Sequence, residues 1–399
     1  MASHHRDRRS VDLLIVGGSF AGLVAARTAA MRGLSVMVIE AKREVGARVA
    51  TTGILVKEAA EEIDVPHRLT RRINGVRLYG PSLHHIDLFA PGYFFLTTDT
   101  ANLLRWLASE AERAGARILT GVRFTGAARA VAGEDFEIAG MPDGLPRRAR
   151  YILGADGARS AVAKAFGLGR NTAFLTGIEA EYENLAGIDP RFLHCFLDSR
   201  IAPGYLGWVA PGPAVTQVGL AVTGGAPARL DRFLARTAGL FGYGNARLVE
   251  RRAGRIPAGG LVRPWASPGV MLIGDAAGMV SPATGGGIRL AFHFGKRAGH
   301  AIADHLQALG PSPDIALAPS LPAFNVKRAM RALLDVPLPN VALDAALRTA
   351  PMRWLATRVY FHRRGAGGLT FAEFDARLRA IGDRGTETPR GGDAVDRPT

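Results

Sequence analysis

Cysteine is almost missing from this chain of 399 residues: only Cys195 is present. A single cysteine excludes an intrachain disulfide, a Cys-x-x-Cys redox pair and a zinc-ribbon site. Within the apolar run of residues 192–197 it reads as a small buried hydrophobe, and its rarity fits a reducing, cytoplasmic setting. Long apolar runs are missing too. No stretch reaches the roughly 18–20 residues needed to cross a bilayer, and the charged opening "MASHHRDRRS" lacks the small-residue cleavage site of a signal peptide. Lysine is scarce: of 50 basic residues, only Lys42, Lys57, Lys164, Lys296 and Lys327 are lysines. Arginines therefore carry the net charge of +15. They are spread along the chain without any nucleic-acid-binding module, so no nucleic acid is expected as a partner. Anionic lipid or phosphate is the partner class this charge favours. The histidines show no ligand spacing, and no metal site is expected.

What is present is a globular composition, 48% hydrophobic and 21% charged, with 49 glycines. The length allows two domains or one composite domain. Leu13-Leu14-Ile15-Val16 is a continuous apolar run, the pattern of a parallel strand buried on both faces. Residues 20–32 are alanine-rich and suit a helix that Gly33 ends, and residues 35–39 give a second buried strand, completing a βαβ unit. Asp99 and Thr100 are placed to cap a helix over residues 101–113, on which Leu103, Leu104, Leu107 and Ala111 share a face. A return strand is expected at residues 117–120. Between about residues 172 and 255, short runs such as "FLTGIEAEY", "HCFLDS", "YLGWVAP" and "TQVGLAV" alternate with Pro and Gly turns, which predicts an antiparallel sheet. Beyond residue 311, prolines separate amphipathic helical pieces, and the polar end of the chain has no periodicity.

Three motifs carry chemistry. In "VDLLIVGGSFAGLVAARTAAMRGLSVMVIE", Gly17, Ser19 and Gly22 occupy the places of Gly-x-Gly-x-x-Gly between a strand and a helix, with Glu40 ending the next strand. A tight turn needs Gly17, phosphate approaches the backbone near Ser19, and Gly22 lets helix and strand pack closely; Ser19 could also offer a hydroxyl to phosphate. Glu40 can accept hydrogen bonds from a ribose diol. In "ARYILGADGARS", the pair Asp156-Gly157 follows another strand, where a plain turn is the alternative reading. In "GDAAGMVSPATGGGI", Gly274 and Asp275 follow the apolar run of residues 270–273, and a glycine run opens a helix.

Taken in this order, the three motifs resemble the flavoprotein class of p-hydroxybenzoate hydroxylase, which includes the geranylgeranyl reductases. The resemblance spans roughly residues 11–310. It implies an α/β composite fold, a Rossmann-like FAD-binding domain with an antiparallel-sheet substrate domain. The implied division is FAD-binding parts at residues 11–170 and 262–310, a substrate domain at 171–261, a C-terminal helical region at 311–380 and a disordered tail at 381–399. It implies FAD contacts at Gly17, Gly18, Ser19, Phe20, Ala21 and Gly22, at Glu40, Ala41, Arg48 and Val122, and at Asp156 and Gly157. Gly274 and Asp275 would meet the ribityl chain, and Pro282, Gly286, Gly287 and Ile288 would lie along the isoalloxazine edge. The helix starting there favours negative charge on the cofactor.

The stretch "PGYLGWVAP" resembles the Tyr-x-Trp-x-Phe-Pro motif of geranylgeranyl reductases and the Trp-x-Trp-x-Ile-Pro motif of flavin-dependent halogenases. Tyr205, Trp208 and Pro211 carry this likeness; Tyr205 and Trp208, together with Pro282 of the glycine-run motif, are the expected substrate contacts, a sheet strand with core aromatics being the other reading. One extra residue separates Tyr205 from Trp208, and Ala210 replaces a larger side chain. Two further departures stand out: Thr52-Gly53 where many geranylgeranyl reductases carry Cys-Gly, and Thr100 where the class often has arginine. Arg48 is either the basic residue the class places near the cofactor or a surface arginine.

The resemblance thus implies an FAD-dependent oxidoreductase passing hydride equivalents to a hydrophobic, isoprenoid-like substrate. Alternatives are a monooxygenase or halogenase acting on an aromatic, and a non-catalytic flavin-binding partner protein at a membrane. With no second dinucleotide fingerprint in the chain, NAD(P)H is expected to visit transiently or an electron-donor protein to supply electrons. Peripheral membrane contact is expected from the charge and from aromatic pieces such as "FAPGYFF" at residues 89–95, for which packing over the substrate sheet is the alternative. No catalytic acid or base is assigned.

Overall fold

The computed structural model describes residues 10–361 except 131–134, 224 and 337, so the expected tail at 381–399 and residues 362–380 of the expected helical region lie outside the described residues. The apolar run near the N-terminus forms the strand Ser10–Val16, buried along nearly its whole length because it has parallel neighbours on both sides. The first sheet has eight strands. Its main path runs Ala266–Ser267, Val270–Leu272, Arg148–Gly154, Ser10–Val16, Val36–Glu40, Arg117–Thr120. Ala127–Arg129 and Phe136–Ile138 branch from it.

The helix Phe20–Met31 packs between Thr100–Arg113 and Ile288–Leu306. Thr100–Arg113 begins where the capping pattern placed it. Asp99 accepts from the Asn102 N–H at 3.1 Å, and Leu103, Leu104, Leu107 and Ala111 are buried.

The second sheet has seven strands in the order Arg247–Pro257, Phe174–Glu183, Thr216–Val222, Gly207–Pro211, Phe192–Phe196, Gly75–Tyr79, His85–Phe89. It is antiparallel except where Phe192–Phe196 meets Gly75–Tyr79. Four of these strands are the runs expected from residues 172–255, and the last two come from the N-terminal half of the chain. One face packs on the helix Leu230–Thr237 through Leu230 and Phe233. The other packs against Ile54, Val56 and the helices Asn340–Leu347 and Ala350–Tyr360. A third, three-stranded sheet orders Ile54–Val56, Phe95–Thr98 and Thr70–Ile73.

The "FAPGYFF" stretch turns inward. Tyr93 and Phe95 are buried, and both rings pack against Phe361 with centroids 5.5 and 5.6 Å away. The packing alternative therefore describes it, and exposed apolar side chains concentrate instead between residues 309 and 355.

Candidate cofactor and substrate site

All three motifs emerge at the carboxyl ends of adjacent parallel strands. Val16 is in register with Gly154, and Gly154 with Leu272, so residues 17–22, 156–157 and 274–275 leave the sheet side by side. Ser10–Val16 lies between Arg148–Gly154 and Val36–Glu40, which makes this edge the topological switch point where open α/β sheets bind ligands.

The first motif leaves no room for side chains. Gly17 has φ +107°, and a Cβ there would lie 2.4 Å from the Ala155 carbonyl oxygen; one on Gly22 would lie 2.3 Å from that of Gly17. The Ser19 hydroxyl donates to the Ala155 carbonyl at 3.0 Å and accepts from the Gly22 N–H at 3.3 Å. Its proton is thus committed to joining the first motif to the second, and toward phosphate it has its backbone N–H to offer. Phe20 and Ala21 are buried in the first helical turn. Glu40 accepts from the N–H groups of Gly18 at 2.8 Å and Lys42 at 2.9 Å. Ala41 is exposed beside it, and the Val122 N–H donates to the Glu40 carbonyl at 3.0 Å, which sets Val122 at the same edge. Arg48 is exposed with φ +45°, and its carbonyl accepts from Lys42 Nζ at 3.2 Å.

The three motif carboxylates differ in how far the protein satisfies them. Glu40 has its two backbone donors. Asp156 accepts from the Ser160 hydroxyl at 2.6 Å and from the N–H groups of Ala161 and Val162 at 2.6 and 3.1 Å, so it caps the helix Ala161–Ala165. The Asp275 carboxylate has no hydrogen-bond partner among the described residues. It is exposed to solvent, while the protein around it raises its carboxyl pKa to about 6. Its Oδ1 would lie 3.4 Å from a Cβ on Gly287, the residue just before Ile288–Leu306, where no side chain caps the helix. An exposed acceptor-only group with no protein donor, beside a helix end that no side chain caps, suits the hydroxyls of FAD.

On the sheet side, Tyr205 donates its hydroxyl to the Thr284 carbonyl. Tyr205 precedes the strand and Trp208 lies within it, so the extra Leu206 falls in the turn and both aromatics reach one apolar cluster with Ile256. Pro282 is buried in the loop leading to the glycine run.

Sequence reasoning missed the polar hub behind these aromatics. Glu179, 5% exposed, accepts from Trp208 Nε1 at 2.6 Å, the Thr52 hydroxyl at 2.5 Å and Arg252 Nε at 2.9 Å. Arg252 also pairs with Glu181 at 2.7 Å. The available signal was Glu179 and Glu181 at alternate positions of one strand, pointing the same way.

The two departures at Thr52 and Thr100 meet on one loop. Gly53 has φ +73°, and a Cβ there would lie 1.9 Å from the Thr100 hydroxyl. The Thr98 hydroxyl donates to the Gly53 carbonyl at 2.8 Å. Thr100 packs inward here and Thr52 faces Glu179. A cavity of about 170 Å³ lies alongside, bounded by Gly46, Val49, residues 98–101, Arg252 and Glu181.

A family profile described as an FAD binding domain matches residues 10–204. The chain is 34% identical to the digeranylgeranylglycerophospholipid reductase of Methanothrix thermoacetophila, over 73% of its own length and 78% of the relative's. It belongs to the geranylgeranyl reductase family of FAD-dependent oxidoreductases. A second relative of the same description, from Methanosarcina acetivorans, is 29% identical over 73% of this chain and 74% of that one. Among solved structures, a geranylgeranyl bacteriochlorophyll reductase-like protein of Thermoplasma acidophilum superposes with TM-score 0.76 at 23% identity, covering 94% of this chain and 99% of its own. A flavin-dependent brominase superposes with TM-score 0.64 at 15% identity, covering 94% and 100%. These two likenesses are of fold. FAD is the cofactor of this reductase-like enzyme and supplies its redox chemistry, while the chain supplies position and polarity.

Proposed function

We propose that this enzyme adds a hydride and a proton across the carbon–carbon double bonds of a prenylated glycerophospholipid. The observation that carries this reading is the 34% identity to a digeranylgeranylglycerophospholipid reductase. It is supported by the aromatic and aliphatic surface of Tyr205, Trp208 and Ile256 beside the glycine run. FAD is held by the residues of the three motifs, with Asp275 accepting from the ribityl hydroxyls and Glu40 from the ribose. NAD(P)H visiting transiently, or a donor protein, restores the reduced flavin. The halogenase reading shares the fold at low identity, whereas both sequence relatives named above are described as reductases.

The test is anaerobic. Photoreduced holoenzyme mixed with a geranylgeranyl-bearing glycerophospholipid should regain its oxidised flavin absorbance, with product mass rising by two hydrogens per bond reduced. Reoxidation that requires oxygen, with a product that gains an oxygen atom, would replace this reading by the hydroxylase one.

Such a substrate resides in membranes, and peripheral contact is part of the proposal. Val326, Leu333, Leu334, Val336, Leu338 and Val341 are all exposed, and Arg328, Arg348 and Arg353 are exposed near them. No helix of the described residues is long and apolar enough to cross a membrane. The enzyme is expected to sediment with vesicles containing anionic lipid at low ionic strength and to be released at about 1 M salt, where the screening length is about 3 Å. Binding that ignores both salt and lipid charge would sink the electrostatic part.

A further inference from the structure

The helix Asn325–Leu334 carries cations on a face that the cofactor motifs do not account for. Arg331 is 6% exposed. Its Nε donates to Asp335 Oδ1 at 3.1 Å, its Nη2 donates to the Gly204 carbonyl, and its Nη1 is buried without a partner. Gly204 precedes Tyr205, whose hydroxyl donates to Thr284 and would sit 2.8 Å from a Cβ on Gly285. Arg331 thus holds the segment carrying Tyr205, and Tyr205 reaches the loop that opens Ile288–Leu306, the helix bearing Arg289 in its first turn. Lys327 lies one turn before Arg331 on the same helical face. Neither Lys327 nor Arg289 has an ion-pair partner among the described residues. Burial, and then the Arg289 guanidinium, lower the pKa of the Lys327 ammonium.

We propose that Lys327, Arg331 and Arg289 form an anion subsite that holds the phosphate of the substrate's head group at the mouth of the apolar site. This rests on the prenyl-phospholipid reading above and locates its polar end. Asp335 pairs with Arg331 at 3.0 Å, so the excess positive charge comes from Lys327 and Arg289, and Arg331 adds the unsatisfied Nη1 donor; a phosphate would answer both with charge-assisted hydrogen bonds. Lys327 is half-buried and neighbours the exposed Val326, so the head group would stay at the rim. Prenyl chains would run inward toward Tyr205, Trp208 and Ile256.

The test compares three probes binding to the oxidised holoenzyme by calorimetry: geranylgeranyl phosphate, geranylgeraniol and inorganic phosphate. The phosphate ester should bind at least tenfold more tightly than the alcohol. Lys327→Gln should weaken the ester about ten- to a hundredfold and leave the alcohol within about twofold, with Lys327→Arg recovering most of the loss. Equal binding of ester and alcohol to the wild type, or equal weakening of both by Lys327→Gln, would overturn the subsite. Inorganic phosphate should bind far more weakly than the ester; matching affinity would make this a free-phosphate site and overturn the head-group assignment. Binding is read without turnover, so failure of the anaerobic reduction experiment would leave this result standing on its own.

Discussion

Asp275→Ala is expected to weaken FAD binding about ten- to a hundredfold, the range for losing a hydrogen bond to a charged acceptor, about 1.5–3 kcal/mol. Asp275 is the one motif carboxylate with no protein donor among the described residues, so its hydrogen-bonding capacity is left for the cofactor. Asp156→Ala should behave differently. That carboxylate already accepts from Ser160, Ala161 and Val162, so its loss should lower the unfolding midpoint more than the FAD affinity.

A pH dependence follows from the same site. In the cofactor-free protein the surrounding protein raises the Asp275 carboxyl pKa from its ordinary value to about 6, although the residue keeps an exposed edge. Hydroxyl donors from FAD favour the ionised form, so binding releases a proton when it starts below that pH. Affinity should therefore fall as pH drops through about 6 and be level above it. Asp275→Asn should flatten that profile. The cofactor-free protein responds in the opposite sense. Its folded state holds this proton more tightly than an unfolded chain with the ordinary value of 3.8, so the Asp275 contribution to stability is lost as pH rises from about 4 to 6. Equal FAD affinity in wild type and Asp275→Ala, or an unchanged pH profile in Asp275→Asn, would remove Asp275 from the cofactor site.

The cofactor side of the fold was legible because its signals are local. Residues 13–16 are apolar without interruption, Gly17 and Gly22 stand where a carbonyl comes within 2.5 Å of any added Cβ, and Asp99 caps its own helix. The substrate side was less so, because its logic lies between strands. Arg247–Pro257 carries four arginines and lacks the apolar alternation that marks a sheet strand, yet it pairs with Phe174–Glu183 along nearly its full length. What stabilises it is Arg252 opposite Glu179 and Glu181, a match visible once the two strands are adjacent. Gly75–Tyr79 and His85–Phe89 join the same sheet from far back in the chain, and no short-range pattern announces that partner. Ser19 shows a finer limit. Its size suits a phosphate turn, but the direction of its hydroxyl depends on Ala155, more than a hundred residues away.

Removing Arg252 should have the largest effect on stability. The Arg252 side chain is 9% exposed and lies 2.5 Å from Glu179 and 2.7 Å from Glu181. Arg252→Met would leave two carboxylates of like charge facing each other in the interior. Breaking a buried pair from one side typically costs about 3–5 kcal/mol, most of it the penalty of the abandoned charge. The surface pair Arg147–Asp143 is the control, and Arg147→Met should leave the urea midpoint where it is. Adding Glu179→Gln to Arg252→Met should recover part of the loss, because a neutral amide can still accept from Thr52 and Trp208 while relieving the repulsion from Glu181. That recovery separates a charge effect from a packing effect. Glu179 also ties the Thr52–Gly53 loop to Trp208, so Arg252→Met should alter tryptophan emission before global unfolding. A loss below about 1 kcal/mol in equilibrium urea unfolding, or a double variant no more stable than Arg252→Met, would mean that this cluster is solvated in solution and does not anchor the sheet to the cofactor side.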